Sequence, residues 1–155
     1  MTKDDFSQKV LDSEQMLYRL SMSMLKNNAD CEDAVQQTIL TAYKKLSSLK
    51  NEEFFRTWIT RILINECNKI LKKRNRTAPI EVIENRTDDT FIHNIEIKEA
   101  IISLSPKLRV VILMKYSEGF SITEISKALK IPEGTVKSRL SQAKNKLKEI
   151  LGEND

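Results

Sequence analysis

Residues 121–140 read SITEISKALKIPEGTVKSRL, and the local grammar of this stretch decides the fold. Ser121-Ile122-Thr123-Glu124 is a capping box. The serine hydroxyl accepts from the backbone N–H three residues on, and the glutamate carboxylate reaches back to the serine N–H. The helix it opens turns Ile122, Ile125, Ala128 and Leu129 inward. Ile131–Pro132 makes a turn. The helix that follows carries Val136, Leu140, Leu147 and Leu151 on one face. Lys137, Arg139, Lys144 and Lys148, with Ser138, Ser141 and Gln142, occupy the other. A short helix, a tight turn and a second helix are helix-turn-helix geometry. The second helix stands proud enough to enter the B-DNA major groove, about 12 Å wide. Its early turns offer Gly134, Thr135, Lys137, Ser138, Arg139, Ser141 and Gln142 to the bases. Lysine and arginine bond guanine edges and glutamine bonds adenine, while Gly134 clears room for a phosphate to approach the backbone. The same pattern also suits a helical hairpin whose lysines are only solvated.

Working outward, Ser105–Pro106 reads as an N-cap followed by proline at the first helical position. That helix carries Leu108, Val111, Ile112 and Tyr116, and Gly119 is its stop. Before it, Ile97, Ile101 and Leu104 step by four and three, so a helix begins near Thr90. Residues 77–89 lose the helical period around Pro79, Asn85 and Asp88–Asp89 and read as a linker between domains.

The N-terminal part reads as three amphipathic helices with short connections, a small bundle. Phe6, Val10, Leu17, Leu20 and Met24 form the stripe of the first, which Asn27–Asn28 ends. Asp30 is the expected N-cap of the second, with Asp33 in its first turn, and Val35, Ile39, Ala42 and Leu46 share a face. Ser47 to Asn51 reads as a loop. The third helix is expected from Glu52 to Arg74, with Phe55, Trp58, Ile62 and Ile70 inward and Arg61, Asn65, Asn68 and Lys72 along another face. Aromatics beside arginine, lysine and amides suit unstacked single-stranded DNA. An aromatic at helical spacing is also ordinary core, and Trp58 is expected to be mostly buried.

Three glycines and three prolines in 155 residues leave little turn chemistry for a β-protein, and strong helix formers are plentiful. Charge is unevenly placed. Residues 51–76 hold seven basic and three acidic groups, residues 77–100 two and six, and residues 101–155 ten and six. Two basic blocks either side of an acidic one fit two polyanion contacts or two solvated faces. Cys31 and Cys67 are 36 residues apart and His93 is the lone histidine, so no metal site of ordinary ligand spacing can be built. The cysteines are expected as buried free thiols. No signal peptide or apolar span of about 20 residues is present, which places the protein in the cytoplasm without direct membrane insertion. An enzyme finds no footing: there is no histidine pairing, phosphate-cradling glycine loop or metal set. A stand-alone helix-turn-helix regulator stays open on these residues.

Three motifs in this order resemble the extracytoplasmic-function sigma factors of the bacterial sigma-70 superfamily, over roughly residues 5–150. Asp30 to Thr38 (DCEDAVQQT) is similar to the helix of region 2.2. Phe55-Arg56-Thr57-Trp58-Ile59, followed by Arg61 and Asn65, resembles regions 2.3 and 2.4, and Glu118 to Leu140 resembles region 4.2. The resemblance implies an all-α fold of two small helical domains joined by a flexible linker, the C-terminal one a helix-turn-helix. Region 2 would occupy residues 1–76, the linker 77–93 and region 4 residues 94–155. Asp30, Asp33, Gln36 and Gln37 would bind the β′ clamp helices of core RNA polymerase, and region 4 the β flap. Lys50, Asn51, Trp58, Arg61, Asn65, Lys69 and Lys72 would recognise and open the −10 element. The exposed residues of the last helix would read the −35 element. An anti-sigma factor would hold the protein inactive, and no cofactor is implied. Family members often have alanine at Cys31 and an acidic residue at Gln37, and arginine is common at Gln142; the motif stays intact, and the resemblance leaves the −35 sequence preference open.

Overall fold

The computed structural model describes residues 1–76 and 95–152. Every regular element among them is helical, which is the all-α fold the sequence implies. The linker read at 77–93, and a helix start near Thr90, fall outside the described residues. The chain divides into two compact units, Met1–Glu84 and Asn85–Asp155.

In the first unit, α1 (Lys3–Leu25), α2 (Asn28–Lys44) and α3 (Phe55–Arg76) pack pairwise. A Thr2–Asp5 capping box opens α1, with both reciprocal bonds formed. Its expected stripe of Phe6, Val10, Leu17, Leu20 and Met24 is buried. Leucines as fully covered as Leu17, Leu20 and Leu25 each contribute about 1.5–3 kcal/mol of apolar burial. Lys26 ends α1 in the left-handed conformation at φ 64°. Cys31, Ala34, Val35, Thr38 and Ala42 make the inner face of α2, while Ile39 and Leu46 are only half-buried. Phe55, Ile59, Ile62, Leu63 and Cys67 line α3. Cys31 and Cys67 are buried free thiols, as expected. Burial, with the neighbouring Cys31 and Glu66 adding to it, pushes the Cys67 thiol far above its ordinary range, so it stays protonated and inert.

Two boundaries differ from the sequence reading. Asn27, not Asp30, caps α2: its Oδ1 accepts from the Asp30 N–H at 2.8 Å, and its amide donates to Asp30 Oδ2 at 3.0 Å. The stretch read as a loop contains two 3₁₀ turns, Leu46–Ser48 and Glu52–Phe54, so α3 starts at Phe55 rather than Glu52.

Asp30, inside the first turn of α2, is held by Arg74. Arg74 Nε donates to Asp30 Oδ2 at 3.2 Å, Nη2 bonds the same oxygen, and Nη2 also donates to the Leu25 carbonyl at 2.7 Å. One guanidinium thus ties the end of α1, the start of α2 and the last turns of α3. Burial raises the Asp30 pKa, but the bonds from Arg74 and Asn27, with the Arg74 charge, outweigh it and hold the carboxyl below its ordinary range. A carboxyl lowered by folding stabilises above its unfolded pKa of about 4, and that contribution fades as pH falls through the lower folded value. Arg74→Ala and Asp30→Ala should each cost about 1 kcal/mol, discounted for partial exposure, and the double variant less than their sum. Arg74→Ala should also flatten the acid limb of the stability profile below about pH 4. Urea unfolding across pH checks both, and simple additivity of the two losses would show that the pair is uncoupled.

In the second unit, α4 (Ile95–Ser103), α5 (Pro106–Ile112), α6 (Ile122–Leu129) and α7 (Glu133–Leu151) surround Val111, Met114, Phe120, Ile125 and Val136, all fully covered. Ser105 is the N-cap of α5 with Pro106 at its first turn, as read, although no side-chain bond completes the cap. The expected run to Tyr116 is broken. After Ile112 the backbone widens into a π turn, Leu113–Ser117, with the Glu118 N–H on the Leu113 carbonyl at 3.0 Å. The extra residue in that turn shifts the register, which leaves Tyr116 50% exposed instead of inward. Gly119, at φ 72°, then turns the chain toward α6.

Candidate nucleic-acid interface

The Ser121–Glu124 box forms in both directions, at 3.0 and 2.9 Å, and starts α6 as the sequence predicts. Lys130 closes α6 in the left-handed region at φ 55°, a position that glycine more often fills. Ser126 Oγ donates to the Ile131 carbonyl, which fixes the turn, and Pro132 stands as N-cap of α7. With α6 packed on α7 and Ile125, Ala128, Val136, Leu140 and Ala143 buried, the opposite side of α7 faces out. Leu147 and Leu151 are half-buried, as are Ile122 and Leu129 of α6.

Gly134, Lys137, Ser138, Ser141 and Gln142 are exposed, and Thr135 and Arg139 half-exposed, on the first three turns of α7. The seven −35 candidates therefore lie on one accessible helix start. A Cβ built on Gly134 would meet nothing within 4 Å, and its φ is not positive. Among the described residues, nothing packs against that position, which is open space. Lys144 is drawn sideways, its Nζ 5.2 Å from the Tyr116 ring centroid.

The −10 candidates separate into two groups. Trp58 and Arg61 lie on the first two turns of α3. Trp58 is half-buried, not mostly buried as expected, because its ring leans on Phe55 at 5.8 Å while its outer part stays uncovered. Phe54 beside it is 56% exposed. Lys50 and Asn51 are exposed just before, and Asn51 Oδ1 accepts from the Glu53 N–H to cap the 3₁₀ turn. One to three turns farther along, Asn65, Lys69 and Lys72 line a cavity of about 560 Å³. Its other wall is Thr41 and Lys44 of α2 with Lys45 just after it. Those three were not singled out in the sequence. The Lys44–Lys45 doublet is visible there, but nothing within one helix says that it meets α3.

The polymerase candidates also separate. Asp33, Gln36 and Gln37 are exposed on the outer face of α2, and Leu40, one turn on, is 56% exposed among them. Asp30 is engaged by Arg74 and Asn27. Among the described residues, no group of acidic, cysteine or histidine side chains could hold a metal ion, and no helix is long and apolar enough to cross a membrane.

A helix-turn-helix on one unit, and a basic amide-bearing helix beside exposed aromatics on the other, give a bipartite DNA-binding transcription protein. Residues 10–77 match the family model for sigma-70 region 2, and residues 94–147 that for sigma-70 region 4. The chain is 29% identical to the ECF RNA polymerase sigma factor SigM of Mycobacterium tuberculosis, over 95% of this chain and 77% of that protein. It is also 29% identical to the ECF sigma factor SigW of Bacillus subtilis, over 96% and 90%. Among solved structures it is similar to the sigma factor RpoE in complex with the anti-sigma factor NepR from Bartonella quintana, at a TM-score of 0.84 and 28% identity. That likeness covers 97% of this chain and 99% of RpoE. CnrH, solved with the cytosolic domain of CnrY, shares the fold at a TM-score of 0.71 and 21% identity, over 99% of this chain and 92% of CnrH. The chain belongs to the extracytoplasmic-function sigma factors of the sigma-70 superfamily.

Proposed function

We propose that this sigma factor binds core RNA polymerase through the outer face of α2 around Asp33, Gln36 and Gln37. It then opens the −10 element with α3 and the segment before it, and reads the −35 element as duplex with α7. The observation that carries the reading is the burial pattern of α7. Its apolar face is used on its own unit, while the seven base-contact candidates are exposed or half-exposed on its first three turns. One such module with few phosphate contacts binds DNA weakly, and two held on one polymerase gain effective concentration. Promoter choice then needs both elements at a set spacing. Catalysis stays with the polymerase, and the site of action is the cytoplasm. RpoE of Bartonella quintana supports an anti-sigma factor as the partner that holds this chain inactive, since it was captured with one.

Run-off transcription with core polymerase on a promoter library tests this. Lys137→Ala and Arg139→Ala should each reduce discrimination at −35 positions by roughly 5- to 150-fold, as loss of a base-edge contact worth about 1–3 kcal/mol does. The −10 preference should not move. A change confined to −10 positions would mean that the two modules are assigned the wrong way round. A protein that ignored core polymerase and bound palindromes as a dimer would be a stand-alone regulator.

A further inference from the structure

The −10 assignment just given uses one helix, yet the cavity beside it is walled by two. Four ammonium groups, Lys44 and Lys45 from the end of α2 and Lys69 and Lys72 from α3, line it. The acidic lining residue is Glu66, largely covered and already bound by Lys69 at 3.1 Å. The lining carries four positive charges against one negative, a balance that favours a polyanion. Lys44 and Lys45 also stand at the end of α2, where the helix dipole favours cations and extended side chains reach outward.

The composition of this cavity tells backbone from base. Bases are held by stacking on aromatic faces. Phe54 and Trp58 lie at the other end of α3, and Tyr43, next to Lys44 and 44% exposed, has its ring edge-on against Phe6 at 5.6 Å. Apart from Ile62 and the Lys69-paired Glu66, the lining here is lysine, threonine and asparagine, which suits phosphodiester oxygens.

We propose that Lys44, the last residue of α2, and Lys45, its C-cap, grip two successive phosphates of the single DNA strand freed at the −10 element, so that α2 serves polymerase with its first half and the strand with its C-terminal end. This rests on the assignment of α3 to the −10 element. It adds a sequence-independent hold on the opened strand, beyond the side chains that choose it.

The test uses the full chain assembled with core polymerase and a labelled single-stranded oligonucleotide carrying the −10 sequence, titrated over a range of salt. Lys44→Ala/Lys45→Ala should weaken binding about tenfold for every −10 sequence tried. The slope of log K against log salt should fall by about 1.4, since each lost single-strand phosphate contact removes about 0.7. Core binding and the melting temperature should not change, because both side chains are exposed. Unchanged affinity and slope in the double variant would overturn the proposal, provided that Asn65→Ala still impairs binding. If Asn65→Ala were silent as well, the −10 assignment of α3 would fall, and this proposal with it. A loss that depends on the −10 sequence, or a loss of core binding, would also overturn it, since the lysines would then read bases or touch polymerase.

Discussion

Arg109→Ala is expected to unfold the second unit while the first stays folded. Arg109 is 3% exposed, and its Nη1 donates to the carbonyls of Ile102 at 2.7 Å and Leu104 at 2.8 Å. Those carbonyls belong to the end of α4, where a helix leaves its last C=O groups without partners and its dipole is negative. A buried guanidinium meets both needs. Truncation leaves buried acceptors unsatisfied at about 1–3 kcal/mol each and opens a void besides. A unit this small has only a few kcal/mol of stability to lose. Arg109→Lys should fall between, because one ammonium on a flexible stem cannot reproduce the planar fork. Circular dichroism melting should show one transition lost or moved far down and another unchanged. Because α5 packs on α7, −35 recognition should vanish while core binding through α2 survives. A melting profile like that of the parent protein would show that Arg109 is not what holds α4.

What could be read from the sequence was local. The Ser121–Glu124 box, the Ser105–Pro106 start and the stripe from Phe6 to Met24 all appear where their spacing put them, because each depends on residues within one or two turns. What periodicity did not reveal was of two kinds: contacts between elements, and local backbone detail without a glycine or proline signal. Arg74 reaches 44 residues back to Asp30, which no period within one helix announces, and the α2 cap is Asn27, as favoured an N-cap residue as aspartate, rather than Asp30. Arg109 was not singled out in the sequence, where nothing in the period of α5 says that its guanidinium turns back to the Ile102 and Leu104 carbonyls. The π turn at Leu113–Ser117 has no glycine or proline of its own to announce it, and it carried Tyr116 out of the core. At the candidate site, the exposed stripe of α3 and the outward face of α7 were legible from periodicity. The lysine-lined cavity was not, because half of it comes from α2.

Asp33→Arg should cost the largest loss of activity for the least loss of stability. Asp33 is exposed and sits one and a half turns into α2, past the region where the helix dipole rewards a carboxylate. Reversing its charge should therefore leave the melting temperature within about a degree of the parent value, whereas Asp30→Ala, three residues earlier, gives up bonds to Arg74 and Asn27. If the outer face of α2 is the polymerase surface, an arginine at its centre meets the partner's basic groups. It also displaces water from its neighbours Gln36 and Gln37. A charge mismatch in a desolvated interface costs roughly 2–5 kcal/mol, or about 30- to several-thousand-fold in affinity. Run-off transcription should be lost at every promoter, since without core polymerase neither DNA contact has a use. Titration of labelled core polymerase against the two variants separates the roles: Asp33→Arg binds weakly and melts normally, and Asp30→Ala melts early and, once folded, binds. Normal core affinity in Asp33→Arg would move the polymerase surface off this face, leaving exposed Leu40 and its polar neighbours in need of another partner.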